Sequence, residues 1–239
     1  MPESAQPAVV LVHGAFADAS GFGGVIKELS TGGYRVFAPP NPLRSLAGDA
    51  ATVRAVVGAI EGPVVLVGHS YGGAVITQAS VHAENVVGLV YLAGFSLDAG
   101  ESCASVQAPF PASMLAATVV PTPYDAPGAA GGPDLYIGED GFRETFCADS
   151  PTELARVMYA TQRPLAAAAF SENATAAGWK AIPSWYQISR HDNAIPPQAQ
   201  EFMARRMDSV TEEVDGSHTA FIAQPERTAA FIMKALART

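Results

Sequence analysis

Residues Val64–Gly73 read VVLVGHSYGG. An apolar, mostly β-branched run stops at Gly68, and Ser70 then stands between Gly68 and Gly72, with small residues opening a helical pattern. That is the sequence form of a strand ending in a tight turn that lifts one hydroxyl clear of the backbone. Glycines on both sides remove the side chains that would collide there. The pentapeptide G-x-S-x-G alone is weakly specific, so its meaning depends on what surrounds it.

Upstream, Val9–Val12 is an apolar run followed by the loop His13–Ser20. Phe22, Val25, Ile26 and Leu29 then fall at i, i+3, i+4 and i+7, the stripe of an amphipathic helix ended by Gly32-Gly33. Tyr34–Ala38 is expected as the second strand, stopped by Pro39-Pro40. A helix from about Ala47 to Ile60 would bury Val53, Val56, Val57 and Ile60. After the helix that begins near Tyr71, Val86–Leu92 reads as the fourth strand. The alternation returns with Ser184–Ser189, a helix from about Pro197 to Met207, Val210–Val214, and a last helix from Pro225 to about Ala237. Continuous apolar strands separated by helices indicate an α/β fold, with a mostly parallel sheet of about six strands covered on both faces. Right-handed crossovers place each following loop on the same, carboxyl edge.

Between Phe95 and Ile182 the alternation stops. The stretch is rich in Ala and Pro, with turn clusters at Pro121–Pro127 and Gly128–Pro133 and short helical patterns at Thr152–Arg163 and Leu165–Ala177. Such a long interruption of a regular alternation reads as an inserted lid, residues 95–182, between core segments 1–94 and 183–239. A separate second domain is the other reading. It fits less well, because the alternation resumes afterwards and needs the first half to complete a core. The proline-rich stretch Pro121–Pro133 fits either a mobile gate or a rigid surface loop.

The chain has 239 residues and a formal net charge of −9, which argues against phosphate backbones and anionic membranes as partners. Cys103 and Cys147 lack metal-ligand spacing, so no metal site is expected, and their pairing is left open. The first residues lack a basic n-region and no apolar run is long enough to span a membrane, so a cytoplasmic location is expected. Monomer and homodimer are both open.

A serine hydroxyl needs a base within hydrogen-bond reach. His218, in Val214-Asp215-Gly216-Ser217-His218, follows the last strand on the same sheet edge as Ser70 and is the candidate base. His69 adjoins the serine with its side chain expected to point away. His13 would shape its loop, His82 lie on the surface, and His191 compete with His218. Asp192, after the fifth strand, is the candidate acid that orients the imidazole. Asp98 is the second candidate, and Asp215 lies too near His218 in sequence to orient it easily. Asp192 would also serve as a cap before Pro196-Pro197. An alkoxide formed at a carbonyl needs preorganised N–H groups. The amides of Tyr71, at the helix start, and Ala15, in His13-Gly14-Ala15-Phe16, are the candidates. Gly14 allows that backbone to approach closely.

VLVHGAFADASGF, GHSYGGAVI, the Asp192 segment and Gly216-Ser217-His218 together resemble the α/β-hydrolase superfamily, in particular small bacterial serine esterase-like members that are also similar to plant methylesterases and hydroxynitrile lyases. The resemblance spans nearly the whole chain outside the insertion. It implies an α/β-hydrolase fold with an inserted lid and a Ser70-Asp192-His218 triad needing no cofactor. Dehalogenases and epoxide hydrolases of this superfamily carry aspartate where Ser70 stands. Hydroxynitrile lyases of this type have threonine after the first loop's histidine and lysine after the catalytic histidine, where this chain has Gly14 and Thr219. The resemblance therefore implies esterase chemistry, while its motifs say little about substrate; the composition of the insertion points to a small, mostly apolar ester or lactone. Perhydrolysis, carbon–carbon bond hydrolysis or lyase chemistry, and a ligand-receptor role use the same residues and form the alternatives. Phe16 and Phe95 flank the catalytic loops, and Phe110, Met114, Leu115 and Tyr159 lie in the insertion. These six are expected to contact substrate, and the lack of an Arg or Lys cluster in the insertion argues against a strongly anionic one.

Overall fold

The computed structural model describes residues 6–125 and 132–239. The first half alternates β1 (Ala8–Val12), α1 (Gly23–Thr31), β2 (Val36–Phe37), α2 (Leu46–Gly58), β3 (Val64–His69), α3 (Tyr71–Ala79) and β4 (Val86–Leu92). The insertion carries α4 (Cys103–Gln107), α5 (Met114–Thr118), β5 (Val119–Thr122), β6 (Asp134–Ile137), α6 (Glu139–Phe146), α7 (Thr152–Thr161), β7 (Leu165–Ala166) and α8 (Ala167–Ser171). The core then resumes with β8 (Ser184–Ser189), α9 (Pro197–Arg206), β9 (Val210–Val214), α10 (Ala220–Ala223) and α11 (Pro225–Leu236).

The six core strands form one parallel sheet in the order β2-β1-β3-β4-β8-β9. All residues of β1 and β3 are buried. Their continuous apolar runs reflect that, since a strand covered on both faces has no solvent side to alternate with. Val10, Val12 and Leu66 pack into one core with α2 and α3, while Val9, Leu11, Val65 and Val67 pack into the other with α1 and α11. The register pairs Val12 with Gly68, His69 with Leu92, and Ser189 with Val214. The carboxyl ends of the strands therefore finish along one edge, and the loops carrying Ser70, Asp192 and His218 leave from it. α3 lies tight against β1: a Cβ at Gly72 would stand 2.2 Å from the Val12 carbonyl oxygen, so only glycine fits. The expected architecture, a mostly parallel α/β sheet of about six strands with helices on both faces, is thus met.

The structure corrects several expectations. The second strand shrinks to Val36–Phe37, at the sheet edge. The insertion, expected to lack sheet structure, holds a second, antiparallel sheet in the order β5-β6-β7. The Thr152–Arg163 pattern becomes α7, but Leu165–Ala177 is not one helix. Leu165 pairs with Leu135 in the small sheet, α8 stops at Ser171, and the chain turns extended at Glu172. The Glu172 carboxylate instead accepts from the Leu46 and Ala47 amides (2.7 and 3.0 Å), capping the N-terminus of α2. The centre of the Pro121–Pro133 stretch, residues 126–131, lies outside the described residues. Cys103 and Cys147 are free, buried thiols. Among the described residues no helix is long and apolar enough to cross a membrane.

Candidate active site

Ser70 sits between β3 and α3 at φ 54°, ψ −124°, a conformation that L-residues rarely adopt and that costs on the order of 1–3 kcal/mol. The surrounding backbone holds it there. The Ser70 amide donates to the Leu92 carbonyl (3.2 Å), and the Ser70 carbonyl accepts from the amides of Gly73 (2.9 Å) and Phe95 (3.0 Å). β3, β4 and α3 together therefore enforce the turn that the glycine pattern permits.

The loop after β1 lies directly against this turn. A Cβ at Gly14 would stand 2.7 Å from Ser70 Cβ and 3.2 Å from its Oγ. His13 fastens the loop. Its Nδ1 bonds the Gly14 carbonyl at 2.9 Å, and its Nε2 accepts from the Asn41 amide at 2.9 Å. An acceptor Nε2 makes this imidazole neutral with the proton on Nδ1, in keeping with a pKa lowered chiefly by burial. The Phe16 amide is taken by the Arg163 carbonyl (2.9 Å). Among the described residues, the Ala15 and Tyr71 amides meet no protein acceptor. Tyr71 is the first residue of its helix, where an amide has no intrahelical partner. Both candidate oxyanion donors are thus free beside Ser70.

His218 and Asp192 form a buried pair. His218 Nδ1 lies 2.7 Å from Asp192 Oδ2, and the His218 side chain is only 2% exposed. The carboxylate is itself tightly held. Oδ1 accepts from the Ala194 and Ile195 amides (2.7 and 2.8 Å), and Oδ2 also accepts from Gln200 Nε2 (2.8 Å). The expected helix cap is not formed: the N-cap of α9 is Pro196, without a side-chain bond, and Asp192 Oδ1 instead closes a turn on the two loop amides while Oδ2 takes the histidine. Gln200, one turn into α9, was not singled out from sequence; only its i+8 offset from Asp192 hints at it.

The other histidines separate cleanly. His69 is fully buried with Nε2 bonded to the His218 carbonyl at 2.9 Å, and its ring packs 4.6 Å from that of His218. Burial lowers its pKa well below the usual value, so it sits there neutral. His191 is 70% exposed and paired with Asp215 (2.5 Å), away from the buried pair. His82 is exposed. Asp98 pairs with Lys180 at 2.5 Å, so the structure does not bring it to His218.

Ser70 and His218 both line one cavity of about 450 Å³. Its walls include Phe16, Phe95, Phe110 and Leu115, four of the six expected contacts, together with Ala15 and Tyr71. Met114 and Tyr159 do not line it. α5 presents Leu115 and Ala116 to the cavity, Val119 follows at the start of β5, and Met114 is left out, while the Tyr159 ring packs edge-on against Phe142 at 5.6 Å. Phe146, Phe170, Leu135 and Leu165 line the cavity and were not anticipated. No Asp, Glu, Lys or Arg is among the described lining residues. The Tyr71 hydroxyl donates to buried Asp49 Oδ2 at 2.8 Å. Burial raises the Asp49 pKa. Among the described residues, no cluster of three or more His, Cys, Asp or Glu could hold a metal ion.

Residues 9–231 match the model of a family described as "Alpha/beta hydrolase family". An alpha/beta hydrolase from Aspergillus novofumigatus is 25% identical over 253 aligned positions, covering 96% of each chain. The crystal structure of polyneuridine aldehyde esterase superposes with a TM-score of 0.82 at 18% identity, over 96% of this chain and 98% of that one. A methylesterase from Arabidopsis superposes with a TM-score of 0.79 at 18% identity, over 98% of this chain and 100% of that one.

Proposed function

This chain belongs to the alpha/beta hydrolase family, and on that premise we propose that it is a serine carboxylesterase acting on small, mostly apolar esters or lactones. The observation that carries the reading is that His218, bonded to buried Asp192, lines the same cavity as Ser70. In this reading Ser70 is the nucleophile, His218 the general base, and Asp192 the group that fixes the imidazole tautomer.

With Nδ1–H donated to Asp192, Nε2 of His218 is left as the basic nitrogen and takes the Ser70 proton during attack on the carbonyl carbon. The alkoxide of the tetrahedral intermediate is held by the Ala15 and Tyr71 amides, donors that are already oriented and need no rearrangement. His218 then protonates the departing alcohol, leaving Ser70 acylated. Water, deprotonated by the same nitrogen, releases the acid and restores the hydroxyl. The phenylalanine-rich wall supplies binding through apolar burial. Most of that wall belongs to the insertion, 95–182, which serves as the cap that selects substrate.

A series of p-nitrophenyl esters of increasing acyl length tests this. kcat/KM is expected to be highest for short to medium apolar acyl groups and to fall at least tenfold for long-chain or multiply charged acids. A clear preference for long or multiply charged substrates would overturn the substrate assignment. Negligible turnover of every ester by correctly folded protein would overturn the esterase reading, and binding or lyase roles would take its place.

A further inference from the structure

The insertion does more than roof the cavity: its helix α6 and the turn that follows grip both loops of the candidate charge pair. Asp149, in that turn, binds Ser217 through both carboxylate oxygens, accepting from the backbone amide (2.8 Å) and the hydroxyl (2.5 Å). On the other side of His218, the Thr219 hydroxyl donates to the Phe146 carbonyl at 3.1 Å. The residue next to Asp192 is caught too, since Asn193 Nδ2 donates to the Glu144 carbonyl at 2.9 Å. The Phe146 ring then packs 5.3 Å from the His218 ring.

The turn is itself braced. Arg143 donates to the Ala148 and Ser150 carbonyls, and the Ser150 amide closes on the Cys147 carbonyl at 2.9 Å. Opposite Asp149 the loop has little slack, because a Cβ at Gly216 would stand 2.7 Å from Ala220 Cβ and 3.0 Å from Asp149 Oδ2. A side chain fixed by packing and by hydrogen bonds to its neighbours keeps the sub-ångström placement that proton transfer demands.

We propose that Asp149 is a positioning residue for the esterase reaction, setting the His218 imidazole through its two bonds to Ser217. The Glu139–Ser150 part of the insertion is accordingly tied to the two loops of the pair as well as to the cavity wall. This inference rests on the assignment of His218 as the base.

The test compares Asp149→Ala, Asp149→Asn and Ser217→Ala with wild type, using His218→Ala as the control for the underlying reading. Losing the latch misplaces the base without removing it, an effect on the order of 10–100-fold. Asp149→Ala is therefore expected to lower kcat on a short p-nitrophenyl ester by that amount, with KM changed less than threefold. The rate of Ser70 labelling by a fluorophosphonate should fall in parallel. Asp149→Asn keeps one acceptor for the Ser217 amide and should recover most of the loss, and Ser217→Ala should fall between. A purely structural role would lower the melting temperature but leave kcat and labelling within twofold of wild type, and that result overturns the proposal. Should Asp149→Ala fail to fold, Ser217→Ala decides: wild-type kcat and labelling in that variant would overturn it. If His218→Ala retains full activity, it is the assignment of the base that has failed, and the result is distinguishable from failure of the latch.

Discussion

Ser70→Ala is expected to reduce kcat for ester hydrolysis by roughly 10⁵–10⁶, to the floor set by binding and the free amides alone. The size follows from the place of Ser70. It is a hydroxyl at the cavity wall held by a strained turn, with φ 54° enforced by three backbone hydrogen bonds. Strain of that kind is kept when the surroundings over-determine it, as the bonds to Leu92, Gly73 and Phe95 do here. The substitution deletes one oxygen from a side chain beside a cavity, so the fold and melting temperature should change little. Steady-state hydrolysis of a short p-nitrophenyl ester, with circular dichroism as the folding control, checks it. A folded Ser70→Ala protein within tenfold of wild type would require another nucleophile.

Asp192→Asn is the second large effect, expected to cost about 10³–10⁴ in kcat. Asp192 accepts four hydrogen bonds, from Ala194, Ile195, Gln200 and His218. An asparagine can still satisfy the two backbone amides through its oxygen. Its NH₂ group would then face two positions that both present donors, Gln200 Nε2 and His218 Nδ1–H. The simplest relief is for His218 to shift its proton to Nε2, leaving Nδ1 to accept. That tautomer cannot take a proton from Ser70. Asp98→Asn, by contrast, removes a partly exposed partner of Lys180 and should leave kcat within twofold. Paired kinetics on the two variants distinguish the carboxylates. Similar losses in both, or a loss only in Asp98→Asn, would contradict the assignment of Asp192.

The elbow strand, its turn and the order of the three candidate residues were legible because each rests on a strong local pattern. Val64–Val67 can only be a strand buried on both faces, and Gly72 has no room for a Cβ against Val12. The carboxyl-edge rule then gathers loops that are far apart in sequence. The insertion was not legible in the same way. β7 has two residues and β5 contains Pro121, so neither carries a periodic signal; their structure comes from pairing with β6. Phe110 and Leu115 line the cavity and Met114 does not, because that depends on the rotation of α5 about its axis, which five residues do not specify. Phe146 and Asp149 were missed because their partners near His218 lie 73 and 68 residues away. Contacts of that range leave no trace in local spacing. Hydrogen-bond detail around Asp192 shows the same division: the aspartate was found from its position after a strand, but Gln200 was found only when α9 was seen to face it.

The central claim, that Ser70 is a nucleophile activated by His218, is tested most directly by covalent trapping. Wild-type protein treated with a fluorophosphonate should gain one equivalent of adduct by intact mass, mapped to the peptide containing Ser70, with ester hydrolysis lost in proportion. Ser70→Ala should gain none, and His218→Ala should label far more slowly. Folded wild-type protein that takes up no adduct, or that is labelled elsewhere while losing its activity, would contradict the account.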